Sequence, residues 1–183
     1  MPKVLIPLAQ GCEELEAVTL IDLLRRAGIE VVSAGLDDQP VKASRGVVLI
    51  ADATLDQALK HEFDMIVLPG GQPGTNHLKA DPRIIDLLQK MAHAGKYTCA
   101  ICAAPAVLAA AGLLAGKQAA SYPGCLDGAS GVTLSAAPVV RDGKIITSRG
   151  PGTAMDFALE LIEILVGKAK RDEVEAGLQR PGK

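Results

Sequence analysis

The sequence has almost no aromatic side chains: no Trp, two Tyr and two Phe in 183 residues. A site that grips single-stranded nucleic acid or sugars by stacking has little to stack with, and the core must be aliphatic. Neither charge is in excess. Nineteen Lys and Arg against 21 Asp and Glu leave a formal charge of -2, so the basic face of a nucleic-acid binder is missing and no nucleic-acid partner is expected. Long hydrophobic runs are missing too. The longest, Ala103 to Ala115, is broken by Pro105 and Gly112 and falls short of the ~20 residues of a membrane span. The opening run Val4 to Leu8 is too short for a signal peptide and soon meets Glu13 and Glu14. A cytoplasmic protein without membrane contact is the expectation. Four cysteines, Cys12, Cys99, Cys102 and Cys125, are too sparse for a disulfide framework and read as free thiols.

What is abundant is aliphatic: 49% of residues are hydrophobic, enough for one substantial core. Short apolar runs alternate with helical patterns along the chain. Strands are expected at 4–9, 30–34, 47–51, 64–68 and 96–101. Helices are expected at 13–27, 55–61, 82–94, 104–114 and 153–166. Val139–Val140 and Ile145–Thr147, joined by Arg141 to Lys144, read as a small β-hairpin. Strands that are apolar throughout are buried on both faces, and their alternation with helices predicts a doubly wound, mostly parallel α/β sandwich. No repeat or linker divides the chain, so a single domain over 1–183 with a charged tail from about 168 is expected.

Such folds place their sites in the loops that leave the strand C-termini. Four of these loops are unusual: Gln10 to Glu16, Pro69-Gly70-Gly71, Cys102 to Pro105, and Ser148 to Gly152. In parallel strands all four share one edge of the sheet.

Ala100-Ile101-Cys102-Ala103-Ala104 ends a strand and opens a helix with small residues either side of a nucleophile, the form of a nucleophile elbow. A thiol at the positive end of a helix has a depressed pKa, and the turn aims the N–H groups of Cys102 and Ala103 outward, ready for an oxyanion. Gly70 and Gly71 offer a further backbone donor. The plainer alternative makes Cys102 a small buried hydrophobe. Cys99 and Cys102 also spell C-x-x-C, but residues three apart on a strand point to opposite faces, so a redox pair is not expected. Cys12 and Cys125 read as incidental loop thiols.

A cysteine nucleophile usually borrows a histidine. Only His61, His77 and His93 exist, and none carries a specific signal, although His77 follows the glycine loop. The first helix offers a carboxylate instead. At about 100° per residue Glu16 falls on the apolar flank with Leu20 and Leu23, where burial raises a carboxyl pKa toward neutrality. Glu14 shares a face with Arg25 and is expected to be solvated. The plainer alternative is that Glu13, Glu14 and Glu16 only complement the helix dipole.

The segments Gly11 to Glu16, Leu68 to Gly71, Ala100 to Pro105 and Thr147 to Thr153 resemble, in order and spacing, the ThiJ/PfpI superfamily. The nearest branch is that of the parkinsonism-associated protein deglycase and its bacterial relatives. The resemblance runs from about Val4 to Gly167. It implies a flavodoxin-like sandwich, usually a homodimer, with Cys102 as nucleophile, Glu16 as its carboxylic partner, and Gly71 and Ala103 as oxyanion donors. It also places Gly70, Tyr122, Arg45, Gly150 and Pro151 at the pocket, with Arg25 and Arg26 near the pocket or the dimer contact. Tyr122 stands where many members carry a histidine, and Ala103 follows the nucleophile where the protease-like branch has one.

The implied activity is that of a glyoxalase or protein deglycase that needs no cofactor or metal and acts on reactive dicarbonyls or on their glycation adducts with proteins and thiols. Cys102 would form a hemithioacetal, and Glu16 would shuttle a proton. Two alternatives use the same residues: an oxidative-stress sensor or chaperone in which Cys102 becomes a sulfinic acid, and a cysteine hydrolase or amidase.

Overall fold

The computed structural model describes residues 1–181. The strands are β1 (Lys3–Leu8), β2 (Glu30–Gly35), β3 (Val41–Lys42), β4 (Val48–Leu49), β5 (Ala53–Thr54), β6 (Met65–Leu68), β7 (Tyr97–Ile101), β8 (Gln118–Ala119), β9 (Thr133–Leu134), β10 (Val139–Asp142) and β11 (Ile145–Ser148). The helices are α1 (Glu14–Arg26), α2 (Leu55–Ala58), α3 (Gly74–Ala80), α4 (Pro82–His93), α5 (Pro105–Ala110), α6 (Ala154–Val166) and α7 (Lys168–Gly177).

The central sheet runs in the order β10-β11-β7-β6-β1-β2-β5. All its pairs are parallel except the β10–β11 hairpin, which turns at Gly143–Lys144. Strand alternation divides the aliphatic side chains between two cores. Val4, Ile6, Met65, Val67, Cys99 and Ile101 face one layer together with α1 and α6. Leu5, Ile66, Leu68 and Ala100 face the other, against α3, α4 and α5. The architecture is the flavodoxin-like α/β sandwich with a small hairpin that the sequence predicts.

Several boundaries differ from expectation. The strand expected at 47–51 is two pieces. Val48–Leu49 pairs antiparallel with Val41–Lys42 outside the main sheet, because Gly46 at φ +93° reverses the chain, and Ala53–Thr54 then joins the edge of β2. Helix α3 was not foreseen, since Pro73 and Gly74 at its start mask it. The helix expected at 104–114 closes after Ala110. The charged tail from 168 forms α7, which packs on α6 through Val174; Gly182 and Lys183 lie outside the described residues. No helix among the described residues is long and apolar enough to cross a membrane.

Because β11, β7, β6 and β1 are adjacent and parallel, the four unusual loops meet at one edge. The Glu13 N–H donates to the Gly70 carbonyl at 2.8 Å, and the Cys102 N–H donates to the Ser148 carbonyl at 3.0 Å.

Candidate functional site

Chain direction changes sharply after β7. Cys102 has φ +63°, a left-handed conformation that costs a side chain roughly 1–3 kcal/mol and persists only where the surroundings enforce it. Both sides of the residue are clamped. Its N–H is engaged by Ser148, and its carbonyl accepts the Tyr122 N–H at 2.8 Å. The side chain is 9% exposed, within reach of solvent but largely covered.

These bonds correct one expectation. The Cys102 N–H is not free for an oxyanion, because the parallel register sets it against Ser148. The donors at the sulfur are the N–H groups of Ala103 and Gly71, both of which hydrogen-bond the thiol and pull its pKa down.

Glu16 is fully buried in the first turn of α1. Its Oε2 accepts the Gly70 N–H at 2.7 Å. Burial raises its pKa to about 7, against the pull of the Gly70 N–H and of a hydrogen bond from the Cys102 thiol, with the Glu13 charge adding to the rise. The thiol contact does not complete the shell: no donor of good geometry reaches Oε1.

The thiol itself departs from expectation. Burial first, then the Glu16 charge and the bond to Glu16, push Cys102 up to about 12, and the two N–H groups only partly offset this. A helix N-terminus does not win here because the next helix, α5, begins at Pro105 and has six residues. Two acids in contact titrate as a pair. Moving the thiol proton to the carboxyl leaves the pair's charge unchanged and places the negative charge at the sulfur, beside both N–H donors.

The glycine loop makes this approach possible. A Cβ on Gly70 would sit 2.7 Å from Cys102 Cβ and 2.9 Å from Glu16 Oε2. Gly71, at φ +91°, packs its α-carbon against the Cys12–Glu13 backbone, where a Cβ would lie 2.3 Å from the Glu13 nitrogen.

The remaining expected residues are spread more widely. Tyr122, Gly150 and Pro151, with Pro123, Arg149, Gly152 and Thr153, line a shallow cavity of about 280 Å³. Tyr122 is half exposed. The Arg45 side chain is exposed, and it is the Arg45 N–H that is used, donating to Glu14 at 2.9 Å. Arg25 pairs with Asp52 at 2.6 Å and Arg26 with Asp22 at 2.8 Å. His61, His77 and His93 are all exposed, and no described hydrogen bond ties any of them to Cys102. Among the described residues no cluster of three or more His, Cys, Asp or Glu could hold a metal ion.

Two further readings, of Glu14 and of the Cys99–Cys102 spacing, are corrected, while Cys12 stays a loop thiol. Glu14 is buried rather than solvated. It accepts N–H bonds from Arg45 and Val47 and the Ser44 hydroxyl. Cys12 is fully buried, and burial with the Glu14 charge lifts its pKa to about 11. Cys99 and Cys102 belong to the same core layer rather than to opposite faces, because the elbow breaks the strand alternation; both remain free thiols. Reading single residues also missed Ser148 as an anchor. Pairing the quoted loops in parallel register would have found it.

Comparison with known proteins agrees with this fold. The model of the DJ-1/PfpI family matches residues 2–164. The protein dj-1beta of Drosophila melanogaster is 45% identical over 179 residues, 95% of each chain. A Caenorhabditis elegans protein named glutathione-independent glyoxalase DJR-1.2 is 36% identical over 174 residues, 93% of this chain and 91% of that one. The oxidised structure of Toxoplasma gondii DJ-1 superposes with a TM-score of 0.93 at 40% identity, covering 99% of this chain and 100% of that one.

Proposed function

The chain belongs to the DJ-1/PfpI family, and from that premise we propose that it is a cysteine enzyme converting reactive 2-oxoaldehydes such as methylglyoxal to 2-hydroxy acids. One observation carries the reading. A buried carboxyl with an unpartnered oxygen lies against a nearly covered thiol that receives two main-chain N–H groups. That is a proton acceptor, a nucleophile and an anion cradle in contact.

The sulfur attacks the aldehyde carbon as its proton passes to Glu16. The resulting oxyanion takes the Gly71 and Ala103 N–H groups and is protonated to the hemithioacetal. Glu16 then removes the proton from the former aldehyde carbon. The enediol collapses with protonation of the neighbouring carbon, leaving a 2-hydroxy thioester on Cys102. Water cleaves the thioester, giving the 2-hydroxy acid and free thiol. Cys102 itself thus does the work of an external thiol such as glutathione. A carboxyl with a pKa near 7 can both accept and return the proton near neutrality. Early glycation adducts of protein thiols and amines present the same carbonyl chemistry and are substrates on this reading.

The relative named a glutathione-independent glyoxalase supports the assignment. Lactate formation from methylglyoxal tests it. Cys102→Ala and Glu16→Gln are both expected to abolish turnover, and undiminished lactate production by either variant would reject the mechanism.

A second reading has its own support in the relative solved in oxidised form. In this reading peroxide oxidises Cys102 to the sulfinic acid, which the same N–H pair and a protonated Glu16 would hold. Peroxide titration with site-resolved mass spectrometry is expected to place the two added oxygens on Cys102. Oxidation elsewhere first would remove this reading.

A further inference from the structure

A shallow cavity of about 280 Å³, lined by Tyr122, Pro123, Arg149, Gly150, Pro151, Gly152 and Thr153 and not by Cys102 or Glu16 themselves, adjoins the Cys102 backbone through Tyr122 and Ser148. Its walls are attached to the nucleophile. The Cys102 N–H is held by Ser148, the residue before Arg149, and the Cys102 carbonyl by Tyr122, the residue before Pro123. The root of Arg149 is fixed on both sides. The Ser148 hydroxyl donates to the Pro138 carbonyl at 2.6 Å, and the Gly150 N–H donates to the Thr153 hydroxyl at 3.2 Å.

Arg149 is the single cation among the lining residues, and none of them is acidic. Its exposed guanidinium makes one described hydrogen bond, from Nη1 to the Ala136 carbonyl at 3.3 Å. No carboxylate pairs with it among the described residues. Among the described residues Arg25, Arg26, Arg83, Arg171 and Arg180 are each paired with an Asp or Glu, whereas Arg149, like Arg45 and Arg141, is not, and of these three only Arg149 lines the cavity. A guanidinium bonded only to a carbonyl keeps a donor edge free for bidentate recognition of a carboxylate.

We propose that Arg149 is a specificity-determining residue of the Cys102 site, selecting carbonyl substrates that also carry a carboxylate. This rests on the 2-oxoaldehyde reading above and narrows its substrate class. For a substrate OHC–CO–CH2–CH2–COO⁻ the sulfur adds at the aldehyde carbon, one proton moves to the adjacent carbon, and one water is taken up. The product is a 2-hydroxy dicarboxylate. The distal carboxylate is unchanged and bound by Arg149 throughout.

Alkylation of Cys102 by iodoacetate and by the uncharged iodoacetamide tests the anion preference without requiring turnover. In each reaction the thiolate displaces iodide, so the rate ratio reads the charge effect. Arg149→Gln is expected to lower the iodoacetate-to-iodoacetamide ratio at Cys102 about tenfold, as loss of a charge-assisted hydrogen bond would. Arg149→Lys is expected to keep part of the ratio, and added salt to reduce the wild-type value. An unchanged ratio in Arg149→Gln, or an equal fall for both reagents, would overturn the proposal. Turnover of 4,5-dioxopentanoate and of its methyl ester separates the two levels. Arg149→Gln is expected to raise KM for the acid alone. A wild type that turns over neither compound while keeping its alkylation ratio would reject the enzyme reading and leave the anion preference standing.

Discussion

Glu16 and Gly70 are joined by a buried 2.7 Å hydrogen bond that uses one carboxyl oxygen and leaves the other without a conventional partner beside Cys102. The carboxyl is thereby fixed in place but under-solvated. A buried acid of this kind resists ionisation, and its cost to the fold depends on pH.

Between pH 4.5, where an unfolded glutamate titrates, and about 7, where Glu16 does, the folded state holds the proton more tightly than the unfolded chain. Its stabilising contribution is therefore complete below 4.5 and lost as pH rises through about 7. Glu16→Gln keeps the shape and removes the titration. Relative to wild type it is expected to gain on the order of 3 kcal/mol between pH 4 and pH 8. Thermal unfolding of both proteins across that range measures it, and a constant difference in Tm would contradict the buried, neutral carboxyl.

Gly70→Ala would drive a Cβ to 2.7 Å from Cys102 Cβ and 2.9 Å from the Ile101 carbonyl. Overpacking of this kind costs about 1–3 kcal/mol, and here the strain falls on the elbow itself. The urea midpoint is expected to fall and alkylation of Cys102 by iodoacetamide to change at least tenfold. Gly177→Ala, which meets nothing within 4 Å, is the control. Wild-type behaviour of Gly70→Ala would show that the loop yields without disturbing the site.

The sheet, the hairpin and the meeting of four loops were legible in the sequence because each rests on a local pattern: apolar runs, turn glycines, and strands alternating with helices. Glu16 was legible for the same reason, since helical spacing alone puts it among leucines. Glu14 was not. The same spacing placed it outward, and only the fold of the 43–47 turn over it supplies the N–H groups that bury it. The Cys102 thiol was misread in the opposite sense. A favourable helix end can be read from sequence, whereas desolvation and an adjacent carboxyl depend on contacts across 86 positions of chain. The engaged Cys102 N–H likewise needed the register of β11 on β7.

Glu14 gathers the Arg45 and Val47 N–H groups and the Ser44 hydroxyl. Burial raises its pKa, but these bonds and one from its own backbone outweigh that and hold it below the usual carboxylate value. The clamp therefore contributes stability above pH 4.5 and loses it as pH falls through the folded pKa. Glu14→Gln is expected to cost about 1–3 kcal/mol at pH 7, with a smaller loss in acid, and to speed amide exchange at Arg45 and Val47. Unaltered exchange at both amides would show that the turn holds without the carboxylate.

That clamp also sets the neighbourhood of an apolar surface. Leu15 and Val18 stand one turn apart on the outer side of α1, and each is about half exposed. The turn that Glu14 binds carries Val47 and Val48, also exposed, and Ile50 beyond them is 85% exposed. Single exposed apolar side chains need no explanation, but five on adjoining elements do. A second copy of the chain, the arrangement implied by the resemblance noted in the sequence, would cover them, and a stable pair needs roughly 800 Å² from each partner. Analytical ultracentrifugation is expected to find a dimer. Val18→Asp places a charge within this apolar patch and is expected to give a folded monomer with unchanged circular dichroism, whereas Val18→Ala stays dimeric. A wild type that sediments as a monomer, or a Val18→Asp protein that remains dimeric, would mean that this face is not where the copies meet.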